Sequence, residues 1–186
     1  MAFRVLGVDP GLTRCGVGIV DVAPNRTATL VHVSVIRTDA ALSLEQRLLA
    51  IGIGIGAVID QYLPTAVALE RVFAQHNLRT VMGTAQASGV ALHVAAARGL
   101  SVRLHTPSEV KAAITGYGAA DKRQVGAMVA RVLRLDAAPT PADSADALAL
   151  AICSAWRGSV VTSGPAVDAA TPAQRAWAAA ERAAAR

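Results

Sequence analysis

Short hydrophobic runs in the first part of the chain are typical of β-strands, and in the third run Val31, Val33 and Val35 alternate with His32 and Ser34. Runs rich in valine and isoleucine cover residues 3–9, 15–22 and 28–38, and turn-forming residues separate them. Because the connections are short, the pattern predicts three adjacent antiparallel strands.

From residue 44 the hydrophobic spacing changes to three and four residues, which predicts a helix. Ser43 and Gln46 form a capping box at its start. Gly52, Gly54 and Gly56 lie inside this helix, where each costs about 1 kcal/mol relative to alanine. The sequence offers no reason for them other than close packing of another helix.

The rest of the chain alternates between strand and helix patterns. Strands are predicted at 65–70 and 100–105, and helices at 77–98, 107–115, 122–135 and 142–156. The order βββ-α-β-α-β-αα-α predicts an α/β fold, a five-stranded mixed sheet flanked by helices. We expect one domain over residues 1–157 and a flexible or loosely helical tail over residues 158–186, rich in Ser, Gly, Pro and Ala.

The high apolar content is compatible with a membrane protein, but the distribution of apolar residues argues against one. Of the 186 residues 53% are apolar, and the mean hydropathy is +0.42. However, residues 48–59 are too few to span a bilayer, and polar residues interrupt 80–97. The chain opens without a basic-then-apolar leader, and Cys15 and Cys153 lie far apart in apolar strings. We expect a soluble, cytoplasmic protein with no membrane association and no disulfide.

The net positive charge suggests an anionic partner, but the positions of the lysines are more informative than the net charge. The net charge is +5 and the pI is about 10.0. Of 18 basic residues only Lys111 and Lys122 are lysines, and both fall in one twelve-residue segment. A solvated lysine is the ordinary interpretation of each, yet their confinement to one segment favours a role in binding.

Four acids occupy positions where a solvated acid is not expected. Asp9 and Glu70 end apolar strands, and Asp143 and Asp146 share one face of the last predicted helix, a face that continues with Leu150. Taken singly, each has an ordinary interpretation: a turn, a solvent-exposed strand end, or acids at a helix N-terminus.

Taken together, the four carboxylates predict a metal centre. Carboxylates that converge on one pocket repel one another unless cations neutralise them. Mg²⁺ or Mn²⁺ suits such oxygen ligands, and two ions about 3.5–4 Å apart are common in enzymes that hydrolyse phosphodiesters. A basic surface would then hold the nucleic-acid backbone beside an acidic pocket.

Four segments, in order, resemble the Holliday-junction resolvases of the RuvC type. They are GVDPGLTRCG at 7–16, LERVF at 69–73, TPSEVK at 106–111 and ADSADALA at 142–149. Their order and spacing make the resemblance specific, and it extends over residues 3–156. It implies a ribonuclease H-like fold, a homodimer, and metal-dependent nicking of two opposed strands of a four-way DNA junction.

The resemblance also assigns roles to individual residues. Asp9, Glu70, Asp143 and Asp146 match the family's catalytic metal-binding acids, which implies two Mg²⁺ per active site with Mn²⁺ as a substitute. A preference for a short cut sequence and coupling to a RuvA–RuvB branch-migration complex are implied as well.

Three further residues match the family's DNA-binding positions. Phe73 matches an aromatic that stacks on a base near the junction centre; core packing is its alternative, and the polar residues 74–77 favour exposure. Lys111 and Lys122 match basic residues near the cleaved phosphate. The family often has histidine where this chain has Ser154, and the role of Arg71, beside Glu70, is open.

The dimer contact and the rival functions remain open at this point. The helix at 77–98, rich in small residues, is the candidate interface, although packing on the sheet explains it equally well. One rival is a ribonuclease H-like nuclease acting on RNA hybrids or pre-ribosomal RNA, and another is a non-catalytic junction-binding scaffold. An actin-like ATPase or sugar kinase shares the pattern at 7–13 loosely, but it needs a duplicated domain that 186 residues cannot supply.

Overall fold

The computed structural model describes residues 3–72 and 78–158. Its strands and helices, in chain order, are β1 (Phe3–Asp9), β2 (Arg14–Val22), β3 (Ala28–Arg37), α1 (Leu44–Tyr62), β4 (Ala66–Glu70), α2 (Leu78–Ala96), β5 (Ser101–His105), α3 (Pro107–Thr115), α4 (Lys122–Leu133) and α5 (Ala142–Gly158). The predicted order of elements is confirmed. Residues 159–186, nearly all of the predicted tail, lie outside the described part.

The strands form one mixed sheet in the order β3-β2-β1-β4-β5. β1, β2 and β3 pair antiparallel, whereas β4 pairs parallel with both β1 and β5. The predicted five-stranded mixed sheet flanked by helices is therefore confirmed. Because β1 and β4 run in the same direction, with Val8 opposite Leu69, their last residues Asp9 and Glu70 emerge at the same edge of the sheet.

Each face of the sheet buries a separate hydrophobic cluster. On one face, α1 and α2 cover side chains that include Leu6, Val8 and Ile19. On the other, α3, α4 and α5 cover a cluster that includes Val5, Val20 and the apolar side of α5. Within the described residues, no helix is both long and apolar enough to cross a membrane. Both cysteines are buried and unbridged.

Helix starts agree with the sequence patterns more closely than helix ends. The Thr106 hydroxyl accepts a hydrogen bond from the Glu109 backbone N–H at 3.2 Å, and Asp121 caps α4 in the same way at 2.8 Å. The helix predicted to extend to residue 135 instead ends at Leu133, because Arg134 adopts a left-handed conformation with φ of 55°. The last helix continues to Gly158, two residues beyond the predicted 156.

The glycines of α1 allow close contact with neighbouring elements on two sides. A Cβ at Gly52 would lie 3.2 Å from Val90 of α2. A Cβ at Gly54 would lie 2.8 Å from Ile36 of β3. Gly52 therefore allows another helix to pack closely, which is the one reason that the sequence offered for these glycines. Gly54 instead makes room for the side chain of a strand residue.

Candidate active site

Three of the predicted acids meet in one cavity at the edge of the sheet. Asp9 and Glu70 reach it from the ends of β1 and β4, and Asp146 reaches it from the first turns of α5. The cavity has a volume of about 220 Å³. Both lysines of the chain also line it, and the remaining wall consists of Pro107, Val110, Val125 and Leu150.

Glycines in β1 and β2 bring α5 close to the end of β1. A Cβ at Gly7 would overlap the main-chain oxygen of Ala147, and a Cβ at Gly16 would overlap that of Asp143. Gly16 is also the residue opposite Asp9 in the antiparallel register. The contact therefore sets the first turns of α5, which carry Asp143 and Asp146, directly beside Asp9.

Lys122 pairs with Asp146 across the cavity. Its Nζ donates a hydrogen bond to Oδ2 of Asp146 at 2.9 Å. This hydrogen bond raises the pKa of Lys122 above its ordinary value, against the opposing effect of partial burial. The ammonium is therefore charged at neutral pH and offsets part of the negative charge in the cavity. Lys111 lines the same cavity from α3.

The carboxyl groups of Asp9 and Glu70 bind protons more tightly than solvated carboxyls do. Burial, reinforced by Asp146, Glu70 and Asp143 and opposed by Lys122, raises the pKa of Asp9 to about 7. Burial and Asp146 also raise the pKa of Glu70, while the two lysines oppose that rise. A cation placed among these groups would favour their ionised forms.

The fourth acid, Asp143, faces a neighbouring cavity. Its Oδ2 lies 3.0 Å from Nε of Arg14, the first residue of β2. This approach is an ion pair without hydrogen-bond alignment, since Oδ2 is buried and has no hydrogen-bond partner among the described residues. Asp143 and Arg14 line this second cavity, of about 370 Å³, together with Thr13, Arg47 and Thr84.

The chemistry of the four acids suits a divalent metal, although their arrangement is not a ready-made site. No group of three or more His, Cys, Asp or Glu side chains in the described part of the chain is placed so that it holds an ion as it stands. The donor oxygens are nonetheless those that Mg²⁺ prefers, and burial together with neighbouring carboxylates raises the pKa of Asp9. Oδ2 of Asp143 is a buried acceptor without a hydrogen-bond donor among the described residues. Asp9, Glu70, Asp143 and Asp146 are the residues that would hold the metal.

The other residues of interest have different placements. Phe73 lies outside the described residues. Ser154 is fully buried and does not line the cavity, and its hydroxyl has no hydrogen-bond partner among the described residues. Arg71 is exposed, and its backbone N–H donates to the carbonyl of His105 at 2.8 Å, which extends the pairing of β4 with β5.

The ion pair between Arg14 and Asp143 was not predicted from the sequence. Arg14 lies inside the first motif, but nothing local distinguishes it from the other arginines. The expected antiparallel pairing of the first two strands was the one available signal for this residue. That pairing places residue 14 at the edge of the sheet where Asp9 ends β1.

Comparisons with known proteins agree with the motifs. The family model described as crossover junction endodeoxyribonuclease RuvC matches residues 5–154. A protein of that name from Leifsonia xyli subsp. xyli is 68% identical over 198 aligned residues, which cover all of this chain and 95% of the relative. Another of that name, from Thermobifida fusca, is 66% identical over 156 residues, which cover 84% of this chain and 86% of the relative.

Solved structures give the same result at lower identity. RuvC from Thermus thermophilus in complex with a Holliday junction substrate superimposes with a TM-score of 0.80 at 34% identity, over 84% of this chain and 95% of that one. The yeast mitochondrial Holliday junction resolvase Ydc2 shares the fold, with a TM-score of 0.61 at 13% identity over 84% of this chain and 81% of that one. The predicted ribonuclease H-like fold is confirmed, and the chain belongs to the RuvC family of crossover junction endodeoxyribonucleases.

Proposed function

We propose that this protein is a structure-selective endonuclease that resolves four-way DNA junctions by paired symmetric nicks, in recombination and repair. One observation carries the proposal: in a chain of the RuvC family, three carboxylates and two lysines line a single cavity at the edge of the sheet. Acids that bind metal beside cations that bind phosphate are the two components that phosphodiester hydrolysis needs.

The four acids are proposed as the catalytic metal ligands. Asp9, Glu70, Asp143 and Asp146 would hold two Mg²⁺ ions, with Mn²⁺ as a substitute. When bound, the metal would supply activation of a water molecule and stabilisation of the leaving 3′ oxygen. The high pKa of Asp9 supports this assignment, because such a carboxyl gains most from a neighbouring cation.

The lysines are proposed to hold the phosphate that is cleaved. Lys122 lies beside Asp146 and Lys111 lines the same wall, so both present positive charge to a phosphate that enters the cavity. The apolar side chains of Val110, Val125 and Leu150 complete the wall beside this charge. Positive charge placed beside the phosphate would stabilise the negative charge that develops in the transition state.

Phe73 is proposed to stack on a base near the junction centre. It follows Glu70 by three residues, so the chain leads from the end of β4 directly to it. Aromatic stacking on an unpaired base contributes about 1–3 kcal/mol of binding. The proposal rests on the motif alone, because Phe73 lies outside the described residues.

A homodimer is proposed because one active site cuts one strand, whereas resolution needs two cuts. The groove between α1 and α2 supports a second copy at this place. It has a volume of about 650 Å³, and its lining includes Leu49 and Ile53, each 64% exposed. Val90, His93 and Val94 of α2, the helix that the sequence indicated as the candidate interface, also line this groove. A cytoplasmic location and coupling to a RuvA–RuvB complex complete the proposal.

The proposed substrate is tested with three nucleic acids of matched sequence. A labelled four-way junction, a plain duplex and an RNA–DNA hybrid are incubated with the protein and Mg²⁺. We expect paired nicks in two opposed strands of the junction and little cutting of the other two substrates. Cutting of the hybrid alone would indicate a ribonuclease, and binding of the junction without nicks would indicate a scaffold.

A further inference from the structure

Among the four acids, Asp143 differs in the cavity that it lines and in its ion pair with Arg14. Asp9, Glu70 and Asp146 line the first cavity, whereas Asp143 lines the second cavity together with Arg14. Asp143, which pairs with Arg14, is thus the one acid of the four that does not line the first cavity. We propose that Arg14 is a built-in counter-ion that holds Asp143 away from the metal position and that the metal must displace. This inference rests on the proposed function.

The ion pair between Arg14 and Asp143 has a geometry that a metal ion can displace. Nε of Arg14 approaches Oδ2 of Asp143 to 3.0 Å, but this oxygen has no hydrogen-bond donor among the described residues. Arg14 therefore supplies charge without satisfying the buried acceptor. A metal ion bound to Oδ2 would do both, and a buried acceptor left without a donor is unfavourable.

The two side chains differ in their freedom to move. The side chain of Arg14 is 54% exposed, whereas that of Asp143 is 17% exposed. Arg14 yields by rotating into solvent, which its exposure allows. The β1–β2 turn beside it stays in place, because Arg47 donates hydrogen bonds to the hydroxyls of Thr13 and Thr38 at 2.8 and 3.0 Å.

Removal of this counter-ion has a predictable effect on metal binding. Without Arg14 the metal-free carboxylates repel one another more strongly, and the metal no longer competes with a guanidinium for Asp143. Both effects raise metal affinity. Partly exposed ion pairs contribute about 0.2–1 kcal/mol, which corresponds to an increase in affinity of up to about five-fold.

Arg37 provides a matched control. It lies directly opposite Arg14 in the pairing of β2 with β3, it is exposed, and it does not pair with Asp143. Arg14→Gln and Arg37→Gln therefore remove the same charge from the same edge of the sheet. Only the first removes the ion pair.

The test is calorimetric titration of the full-length, DNA-free protein with Mn²⁺. We expect Arg14→Gln to bind Mn²⁺ about two- to five-fold more tightly than Arg37→Gln and to show the larger metal-induced rise in Tm. Arg14→Lys, which keeps the charge, should stay within about two-fold of the wild type. Equal affinities for the two glutamine variants, or an Arg14→Lys protein as tight as Arg14→Gln, would overturn the counter-ion role.

Asp143→Asn separates this inference from the proposed function. If Asp143→Asn weakens Mn²⁺ binding while the two arginine variants behave alike, the metal assignment stands and only the role of Arg14 fails. If Asp143→Asn leaves Mn²⁺ binding unchanged, Asp143 is not a metal ligand, and the proposed site fails together with the inference.

Discussion

Gly7 of β1 lies so close to Ala147 of α5 that a Cβ on the glycine would overlap the main-chain oxygen of the alanine. Gly7 precedes Asp9 by two residues, and Ala147 follows Asp146 by one. The same contact that packs α5 on the sheet therefore places a strand-end acid beside a helical acid. Backbone-to-backbone packing, which only glycine permits here, sets the geometry of the cavity.

Gly7→Ala tests this packing. The added methyl group must push α5 away from β1, so we expect a loss of about 3 kcal/mol in the free energy of unfolding. Gly89→Ala is the matched control, because a Cβ at Gly89 in α2 meets nothing within 4 Å. That variant should gain up to about 1 kcal/mol from helix propensity. Chemical denaturation measures both, and a Gly7→Ala protein as stable as the wild type would contradict the close contact.

Lys122→Gln tests whether the lysine acts in the reaction rather than through net charge. The hydrogen bond to Asp146 and the positive charge in the cavity are both lost, so we expect the single-turnover nicking rate to fall by about 10²-fold. Junction affinity, measured by a mobility-shift titration, should change much less. Arg123→Gln removes the same charge from the neighbouring exposed residue of α4. An equal loss of rate in that control would show that only net charge matters.

Asp21→Asn tests an ion pair that supports the sheet outside the cavity. Arg4 binds both carboxylate oxygens of Asp21, at 2.8 and 2.7 Å, and donates to the carbonyl of Tyr62 at 2.7 Å. This pairing holds the pKa of Asp21 below its ordinary value, against a smaller effect of burial. We expect Asp21→Asn to lower the free energy of unfolding by about 1 kcal/mol at neutral pH.

The pH dependence of that loss follows from the lowered pKa. A carboxyl group with a depressed folded-state pKa stabilises the protein fully above its unfolded pKa, about 3.9, and stops doing so as the pH falls through the folded value. The difference between wild type and Asp21→Asn should therefore be constant above about pH 5 and shrink below about pH 4. A difference that grows at low pH, in melts recorded at each pH, would contradict this assignment.

Much of the fold was predictable because its signals are local. The strand and helix periods, the capping residues Thr106 and Asp121, and the ends of β1 and β4 are all visible in short segments of the chain. Parallel pairing of β1 with β4 then brings Asp9 and Glu70 to one edge. The family resemblance adds Asp146 and both lysines to the same cavity, whereas Asp143 lines the second cavity.

The unpredicted features are contacts between distant parts of the chain. In the sequence, Gly7 and Gly16 are ordinary strand glycines, and only the structure shows that α5 packs directly against them. Gly54 lowers the helix propensity of α1, and only the structure shows that the Ile36 side chain occupies the space beside it. Arg14 and Asp143 meet only after β2 and α5 are both in place. No local pattern encodes such contacts, because they depend on the register of strands and the position of a helix.

The most direct test of the account is junction cleavage by wild type and Asp9→Asn, with Mg²⁺ and with EDTA. A four-way junction labelled on two opposed strands reports both nicks, and a mobility shift reports binding. We predict that wild type nicks both strands only with Mg²⁺, and that Asp9→Asn binds the junction without nicking it. Nicking by wild type in EDTA, or undiminished nicking by Asp9→Asn in Mg²⁺, would contradict a metal-dependent resolvase whose active site contains Asp9.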